Sequence, residues 1–229
     1  MPTTFLKDFF NLFYPALCSA CGRALGTGEK HLCSVCLYRL PKTNFQVQPD
    51  NPVARRFWGK TNVASAASFV FFDKGEKVQQ MLHALKYQRN TELGIFLGEL
   101  YGKELKESSL VAGCDAIIPV PLHKKKIRVR GYNQSDLIAD GLSKAMRIPV
   151  HKKFLVRTVA TSTQTRKSRY ARFENVENVF ELNGEKTDAK HFLLVDDVIT
   201  TGSTLEACAA CLNQIEGVKV SVATIACTF

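Results

Sequence analysis

Hydrophobic residues recur along this chain in short blocks of two kinds. Continuous runs of small and branched apolar residues predict strands that are buried on both faces, and apolar residues at every third or fourth position predict amphipathic helices. From residue 63 onward the two kinds alternate, which is the pattern of an α/β fold with a parallel sheet. We predict strands at 63–72, 114–122, 148–157, 176–182, 192–197 and 218–226. We predict helices at 76–86, at 91–106, from a cap near 133 to 146, and at 205–215.

The stretch from His191 to Leu205 reads H-F-L-L-V-D-D-V-I-T-T-G-S-T-L. A buried strand of an open α/β sheet places its carboxyl end at the ligand crevice, and here that end carries Asp196 and Asp197. Two adjacent carboxylates can accept hydrogen bonds from the two neighbouring hydroxyls of a ribose. The loop Thr200–Thr204 presents hydroxyls and backbone N–H groups at a helix N-terminus, which suits a phosphate. The stretch predicts a ribose 5-phosphate site, and an ordinary surface turn is the alternative.

A second candidate anion site follows the strand predicted at 114–122. We interpret His123–Gln134 as a basic loop, and Asn133 or Ser135 as the cap of the next helix. The lysines at 124–126 fit a solvated face. Arg128 and Arg130 flank a turn at Gly131 and fit an anion better.

Eight cysteines fall into distinct groups. Two C-x2-C pairs, separated by eleven residues, are typical of a closed tetrahedral zinc site with a structural role, and we assign Cys18, Cys21, Cys33 and Cys36 as its ligands. Two disulfides or redox thiols are the alternative. Cys208 and Cys211 share the spacing but lie in a helical pattern, so we interpret them as small buried residues.

The segments before residue 60 predict a separate N-terminal unit. Residues 3–14 fit a short amphipathic helix that docks on the body or touches a membrane surface, and they lack the features of a signal peptide. Proline-containing residues 41–60 read as a linker, whose Arg55-Arg56-Phe57-Trp58 could stack on a base or pack on the next domain. We divide the chain into 1–55 and 56–229. No apolar run is long enough for a membrane span.

The distribution of net charge predicts a polyanionic partner. The chain carries +10, and residues 121–175 alone carry +11. Such a block favours pyrophosphate, nucleotides or nucleic acid. The polar, basic stretch 158–175 is long enough to be a functional lid. Tyr132, Tyr170 and Phe173 lie within the basic block and could stack on bases of a single strand.

The motifs together resemble one known family. The Asp-Asp stretch is similar to the phosphoribosyl pyrophosphate (PRPP) signature of type I phosphoribosyltransferases. The whole chain resembles the ComF (competence protein F) family through the two C-x2-C pairs after F-Y-P, L-K-Y at 85–87, P-V-P-L…R-G-Y-N-Q at 119–134, and T-x2-Q…R-x2-N-V-x3-F at 161–180. Two positions depart from the family pattern: Gln88-Arg89-Asn90 stands where a glycine often follows L-K-Y, and Lys167 where an apolar residue is common.

The resemblance implies a fold, ligands and a setting. The fold would be a type I phosphoribosyltransferase parallel sheet with a hood, preceded by a small four-cysteine zinc-finger or ribbon module. PRPP would bring Mg²⁺, and further partners would be single-stranded DNA and a helicase or channel of the uptake machinery, in the cytoplasm. The implied PRPP ligands are Asp196 and Asp197 for the ribose hydroxyls, Thr200, Thr201, Gly202, Ser203 and Thr204 for the 5-phosphate, Arg130, Gly131, Asn133 and Gln134 for pyrophosphate, and Gln164, Arg166, Lys167 and Arg172 on the lid.

Two functions remain open at this point. One is a PRPP-binding protein of natural transformation that acts on or with imported single-stranded DNA. The other is an active phosphoribosyltransferase of nucleotide salvage with no DNA role. The sequence assigns no catalytic residue and no acceptor.

Overall fold

Four parallel strands form the central sheet of the protein, seen in a computed structural model that describes residues 15–72, 77–158 and 179–228. The strands are β1 (Ser65–Phe71), β2 (Ala116–Pro119), β5 (His191–Ile199) and β6 (Lys219–Cys227), in the spatial order β1-β6-β5-β2. A parallel bridge from Ile117 to Val150 extends the sheet at the β2 edge. The predicted parallel sheet is therefore confirmed.

Helices cover both faces of this sheet, as an all-parallel sheet requires. One face carries α2 (Lys77–Tyr87), α3 (Thr91–Lys106) and α5 (Gln134–Met146), and the other carries α6 (Ser203–Leu212). The two central strands are buried almost throughout, from Phe192 to Val195 and from Val220 to Cys227. The helices predicted at 76–86 and 91–106 match α2 and α3 closely.

A two-stranded antiparallel ribbon lies beside the sheet. It joins β3 (Leu155–Arg157) to β4 (Phe180–Leu182), and it packs through Phe154, Leu155 and Phe180 on the α6 side. The strand predicted at 148–157 is thus shorter than expected, because a turn at its exposed lysines separates Val150 from β3. The lid expected between the ribbon strands, with Gln164, Arg166, Lys167 and Arg172, lies outside the described residues.

The basic segment after β2 differs from its prediction. Lys124–Arg130 is a helix, α4, rather than a loop. Lysine and arginine are good helix formers, the His123 side chain accepts a hydrogen bond from the backbone N–H of Lys125 at the start, and Gly131 ends the helix with a φ of 87°. The predicted loop was wrong because this highly charged segment has a capping residue at each end and forms a short helix.

Helices α3 and α5 approach each other unusually closely. Gly94, Gly98 and Gly102 recur at every fourth position of α3 and face α5. A Cβ added at Gly98 would lie well under 3.0 Å from the carbonyl oxygen of Ile138 and 3.0 Å from the Cα of Gly141. These glycines let two backbones touch and fix where the N-terminus of α5 lies.

The segment before β1 packs on the body. It contains α1 (Ser34–Tyr38) and short 3-10 turns at Phe45–Val47 and Ala54–Arg56. Phe45, Val53 and Phe57 are buried against the sheet, and the Asn51 side chain donates a hydrogen bond to the carbonyl oxygen of Ala66 at 2.8 Å. Residues 41–60 therefore adhere to the sheet domain along most of their length, and the boundary near residue 55 stays a prediction.

The helices in the described ranges are all too short or too polar to cross a membrane.

Candidate functional site

The predicted acid pair lies at the carboxyl end of β5. Both Asp196 and Asp197 belong to the strand, which continues to Ile199. An Asp196 carboxylate oxygen accepts two hydrogen bonds at 2.9 Å, one from the Ser135 hydroxyl and one from the backbone N–H of Asp197. The Lys86 ammonium lies 2.9 Å from a carboxylate oxygen of Asp197. The pair is therefore positioned by three elements: β5, the first turn of α5 and the last turn of α2.

The two carboxylates are not equivalent. Burial raises the pKa of Asp196 to about 7, and the neighbouring charge of Asp197 adds to this effect, while hydrogen bonds from Asp197 and Ser135 oppose it. The side chain of Asp197 is 13% exposed and that of Lys86 is 25% exposed, so their ion pair is largely shielded from water. Near neutral pH the Asp196 carboxyl is therefore close to its titration point, beside a second carboxyl that is paired with Lys86.

The loop after β5 has the form that the sequence predicted. Thr200, Thr201, Ser203 and Thr204 are exposed, and they surround a depression of about 40 Å³ that also touches Asp196. Gly202 has a φ of 88°, a conformation that glycine adopts without strain, and it starts α6. The Thr201 hydroxyl lies 3.0 Å from that of Ser203. Hydroxyls and the first backbone N–H groups of a ten-residue helix thus converge on one small concave surface, which suits a phosphate.

The junction between α4 and α5 holds the residues predicted to meet pyrophosphate. Arg130 donates a hydrogen bond to the side-chain oxygen of Gln134 at 2.8 Å. The side-chain nitrogen of Gln134 is buried without a partner among the described residues, and a bound oxyanion would satisfy such a donor. Asn133 is occupied differently, since its side chain caps α5 and donates to the carbonyl oxygen of Val120 at 3.0 Å. A ligand would therefore compete with the cap for Asn133.

A basic cleft opens between α2 and α4, next to the acid pair. It measures about 480 Å³ and is lined by Lys86, Tyr87, Arg89, Lys125, Lys126, Val129 and Arg130. The Tyr132 hydroxyl donates to the carbonyl oxygen of Leu85 at 2.6 Å, so this tyrosine ties the α4–α5 junction to α2. Sequence reasoning used L-K-Y only as a family motif and missed that Lys86 contacts Asp197. It also treated Ser135 only as a cap.

The four predicted metal ligands come together beside α2 and α3, where the Asn90 side chain donates a hydrogen bond to the Ser19 hydroxyl at 3.2 Å. The Sγ atoms of Cys18, Cys21, Cys33 and Cys36 all lie within 4.8 Å of one another, and none of these cysteines is in a disulfide. A tetrahedral site with bonds of about 2.3 Å would place its sulfurs about 3.8 Å apart, and the Sγ atoms of Cys21 and Cys33 are 3.8 Å apart. The backbone N–H of Cys33 points to the sulfur of Cys18, and that of Cys36 to the sulfur of Cys33. This cluster could hold a metal ion with no further ligand.

Comparison with known proteins shows which family the chain belongs to. The family of the phosphoribosyl transferase domain matches residues 134–228. The DNA utilization protein YhgH of Escherichia coli K12 is 32% identical over 209 residues, which span 90% of this chain and 88% of that protein. Competence protein F of Haemophilus influenzae is 39% identical over 110 residues, 47% of this chain and 48% of that protein. The chain belongs to the ComF family.

Solved structures relate this ComF protein only distantly to enzymes. The glutamine PRPP amidotransferase of B. subtilis is 19% identical with a TM-score of 0.43, over 63% of this chain and 30% of the amidotransferase chain. The adenine phosphoribosyltransferase of Leishmania tarentolae is 10% identical with a TM-score of 0.39, over 82% of this chain and 94% of that one. We transfer no residue role from either. The matched phosphoribosyl transferase domain and the parallel sheet together confirm the type I phosphoribosyltransferase fold.

Proposed function

We propose that this protein binds PRPP and takes part in natural transformation or DNA uptake, acting on or with imported single-stranded DNA in the cytoplasm. The observation that carries the ligand assignment is the placement of two carboxylates and a hydroxyl-rich helix N-terminus at one end of β5. A ribose diol at Asp196 and Asp197 would leave its 5-phosphate within reach of the loop 200–204. The names of the ComF relatives support the DNA role.

Cations complete the proposed PRPP site. Pyrophosphate would extend from the acid pair toward Lys86 and the α4–α5 junction at Arg130, Gly131 and Gln134. PRPP would bring Mg²⁺, which offsets part of the pyrophosphate charge. The lid residues Gln164, Arg166, Lys167 and Arg172 stay assigned to the same ligand by family resemblance.

For the cysteine cluster we propose zinc with a structural role. All four donors are thiolates, and a closed four-sulfur set leaves no position for a substrate. Leu32, Cys33 and Cys36 are buried in the same apolar cluster as Leu93 and Leu97 of α3. Metal binding would therefore fold the N-terminal module directly against the helix that packs on α5.

Titration calorimetry with Mg·PRPP tests the central assignment. We expect saturable binding by the full chain, and its loss in the double variant Asp196→Asn plus Asp197→Asn. The matched control, Glu185→Gln plus Asp188→Asn, removes two exposed charges outside the site and should bind normally. Wild-type protein that binds no PRPP would refute the ligand assignment.

The DNA role has its own test on the same sample. Single-stranded DNA should bind with an affinity that falls steeply as salt rises, because phosphate contacts release counterions. An affinity that is flat with salt would argue against an electrostatic DNA interaction, and the absence of DNA binding would favour a salvage enzyme.

A transfer reaction is a second candidate, favoured by Lys86 and Arg130, which could stabilise a leaving pyrophosphate next to the acid pair. In that reaction an acceptor nitrogen would attack C1 of the ribose, the C1–O bond would break, and pyrophosphate would leave with its electron pair. Coupled detection of pyrophosphate with supplied nucleobases tests it, and release at the rate of buffer alone excludes it for those bases.

A further inference from the structure

The cleft between α2 and α4 has a composition that the proposed PRPP site does not require. Its wall has five cationic side chains and no acidic one. Lys86 is paired with Asp197, and Arg130 is bonded to Gln134. The other three, Arg89, Lys125 and Lys126, have no carboxylate within ion-pair distance among the residues the structure describes. Three unpaired cations on one cleft indicate a ligand with several negative charges.

Apolar and aromatic surface is exposed in the same cleft. The Tyr87 side chain is 63% exposed, and Val129 is 81% exposed. The Tyr87 ring has neighbours that hold it, with the His83 ring centroid at 4.8 Å and the Arg130 guanidinium at 5.4 Å. A free diphosphate would use the cations and gain nothing from these groups. A ligand with flat, apolar bases along a phosphate chain would use both.

One residue on the wall of this cleft, Arg89, has an uncommon backbone conformation. Arg89 has a φ of 54°, in the left-handed region where a residue with a side chain is uncommon and glycine is at ease. The chain thus keeps an arginine on the cleft wall at a position where glycine would relieve the backbone. Arg147 ends α5 with a similar φ of 61°, so this geometry alone assigns no function, but it makes Arg89→Gly a substitution that should not harm the fold.

We propose that this cleft binds a segment of single-stranded nucleic acid, with Tyr87 stacking on a base and Arg89, Lys125 and Lys126 contacting phosphates. A duplex is a poorer fit because its bases are already stacked on each other and offer no free face to Tyr87. Lys86 lines the cleft and pairs with Asp197, so the strand and the ribose-diol site adjoin each other. This inference rests on the proposed function and deepens it by naming the nucleic-acid surface.

Fluorescence anisotropy of a labelled oligothymidylate with the full-length protein tests the proposal. We expect Tyr87→Ala to weaken binding by about tenfold. Lys125→Ala plus Lys126→Ala should lower the slope of log affinity against log salt by about 0.7 for each phosphate that is no longer neutralised. The control is Lys186→Ala plus Lys190→Ala, which removes two exposed lysines near the start of β5, at the opposite edge of the sheet.

Arg89→Gly is the sharpest variant because folding and binding should respond in opposite directions. It removes the strain, so thermal stability should be kept or increased, while DNA affinity should fall. Arg89→Gly and the variant Lys125→Ala plus Lys126→Ala change no residue that is assigned to PRPP, so calorimetry with Mg·PRPP should give wild-type affinity for both. Tyr87→Ala removes the ring beside Arg130, so it is judged by DNA affinity alone.

The outcomes separate this inference from the function on which it rests. If wild-type protein binds DNA and PRPP but the cleft variants bind DNA normally, the cleft is not the strand site and the proposed function stands. If the variants lose PRPP affinity and keep DNA affinity, the cleft belongs to pyrophosphate and the inference is overturned. If wild-type protein binds no single-stranded DNA, the DNA part of the proposed function fails as well.

Discussion

The glycine contact between α3 and α5 gives a prediction that can be worked from geometry. Gly98→Ala adds one methyl group where the carbonyl oxygen of Ile138 lies well under 3.0 Å away, and Gly141 Cα and the Leu142 nitrogen lie at 3.0 Å. Ordinary contact begins near 3.4 Å. All three obstructing atoms belong to the backbone of α5, so no side chain can rotate away. The two helices must separate.

The net effect follows from two opposing terms. Overpacking a core by one methyl group costs about 1–3 kcal/mol, and a backbone obstacle puts this site at the upper end. Alanine is about 1 kcal/mol better than glycine inside a helix, which offsets part of that cost. We therefore expect Gly98→Ala to lower the free energy of unfolding by about 2 kcal/mol. In a domain of this size that corresponds to a Tm lower by about 4–8 °C.

Gly102 offers a matched comparison one turn further along the same face. A Cβ at Gly102 meets the Cβ of Ala145 at 2.8 Å, and the next contacts, with Leu142, are at 3.2 and 3.3 Å. Ala145→Gly should therefore rescue Gly102→Ala, with no net change in helix propensity. The same substitution should not rescue Gly98→Ala, whose obstacle is the backbone near Ile138. Differential scanning calorimetry of the single and double variants measures both couplings.

This contact also bears on the site, because the N-terminus of α5 carries the Ser135 hydroxyl that reaches Asp196. Well below its Tm, Gly98→Ala should bind Mg·PRPP more weakly than wild type, while the double variant Gly102→Ala plus Ala145→Gly should not. A Tm of Gly98→Ala equal to or above that of wild type would refute the close approach of the two helices, and with it the link to the site.

The remaining predictions concern the metal, the acid pair and its lysine. Metal analysis should find about one zinc ion per chain, and chelation or serine substitution of the cysteines at 18, 21, 33 and 36 should lower the Tm; a metal-free protein of unchanged Tm would contradict the assignment. Burial raises the folded-state pKa of Asp196 to about 7, so the native state retains a proton that the unfolded chain releases. The free energy of unfolding should therefore fall as pH rises from the usual carboxyl range toward 7. PRPP affinity should rise over the same pH range. In urea titrations, Asp196→Asn should make the free energy of unfolding less dependent on pH. Lys86→Met should destabilise the protein by about 2 kcal/mol, less than the ~3–5 kcal/mol of a fully buried pair, and Asp197→Asn in the same chain should recover most of the loss.

Local patterns carried the prediction of the sheet and of the phosphate loop. The strand 192–197, the acid pair and the loop 200–204 follow one another in sequence, so a single read gives their order and their common edge. The same holds for the paired cysteines, whose spacing alone brings four sulfurs together. Features of this kind depend on backbone geometry over few residues and need no knowledge of the tertiary fold.

The rest of the site depends on contacts between residues that are distant in sequence. Lys86 meets Asp197 across more than a hundred residues, and Ser135 meets Asp196 across 61. No spacing rule predicts such pairs, although L-K-Y marked the first of them as a motif without a role. The prediction of a loop at the basic segment was wrong for a different reason. It rested on the high density of charge and did not consider the two capping residues, His123 and Gly131, that allow a short helix.

The glycine series on α3 shows how the two kinds of information combine. Its spacing of four was visible in the sequence, yet only the position of α5 gives it meaning. With α5 packed against these glycines, its first turn places Ser135 within hydrogen-bond distance of Asp196. The junction between α4 and α5 places Arg130 in the cleft. The ribose-diol end and the polyanion end of the site are thus set by one helix. A disturbance of the α3–α5 contact should consequently weaken PRPP and DNA binding together, whereas cleft variants should separate them.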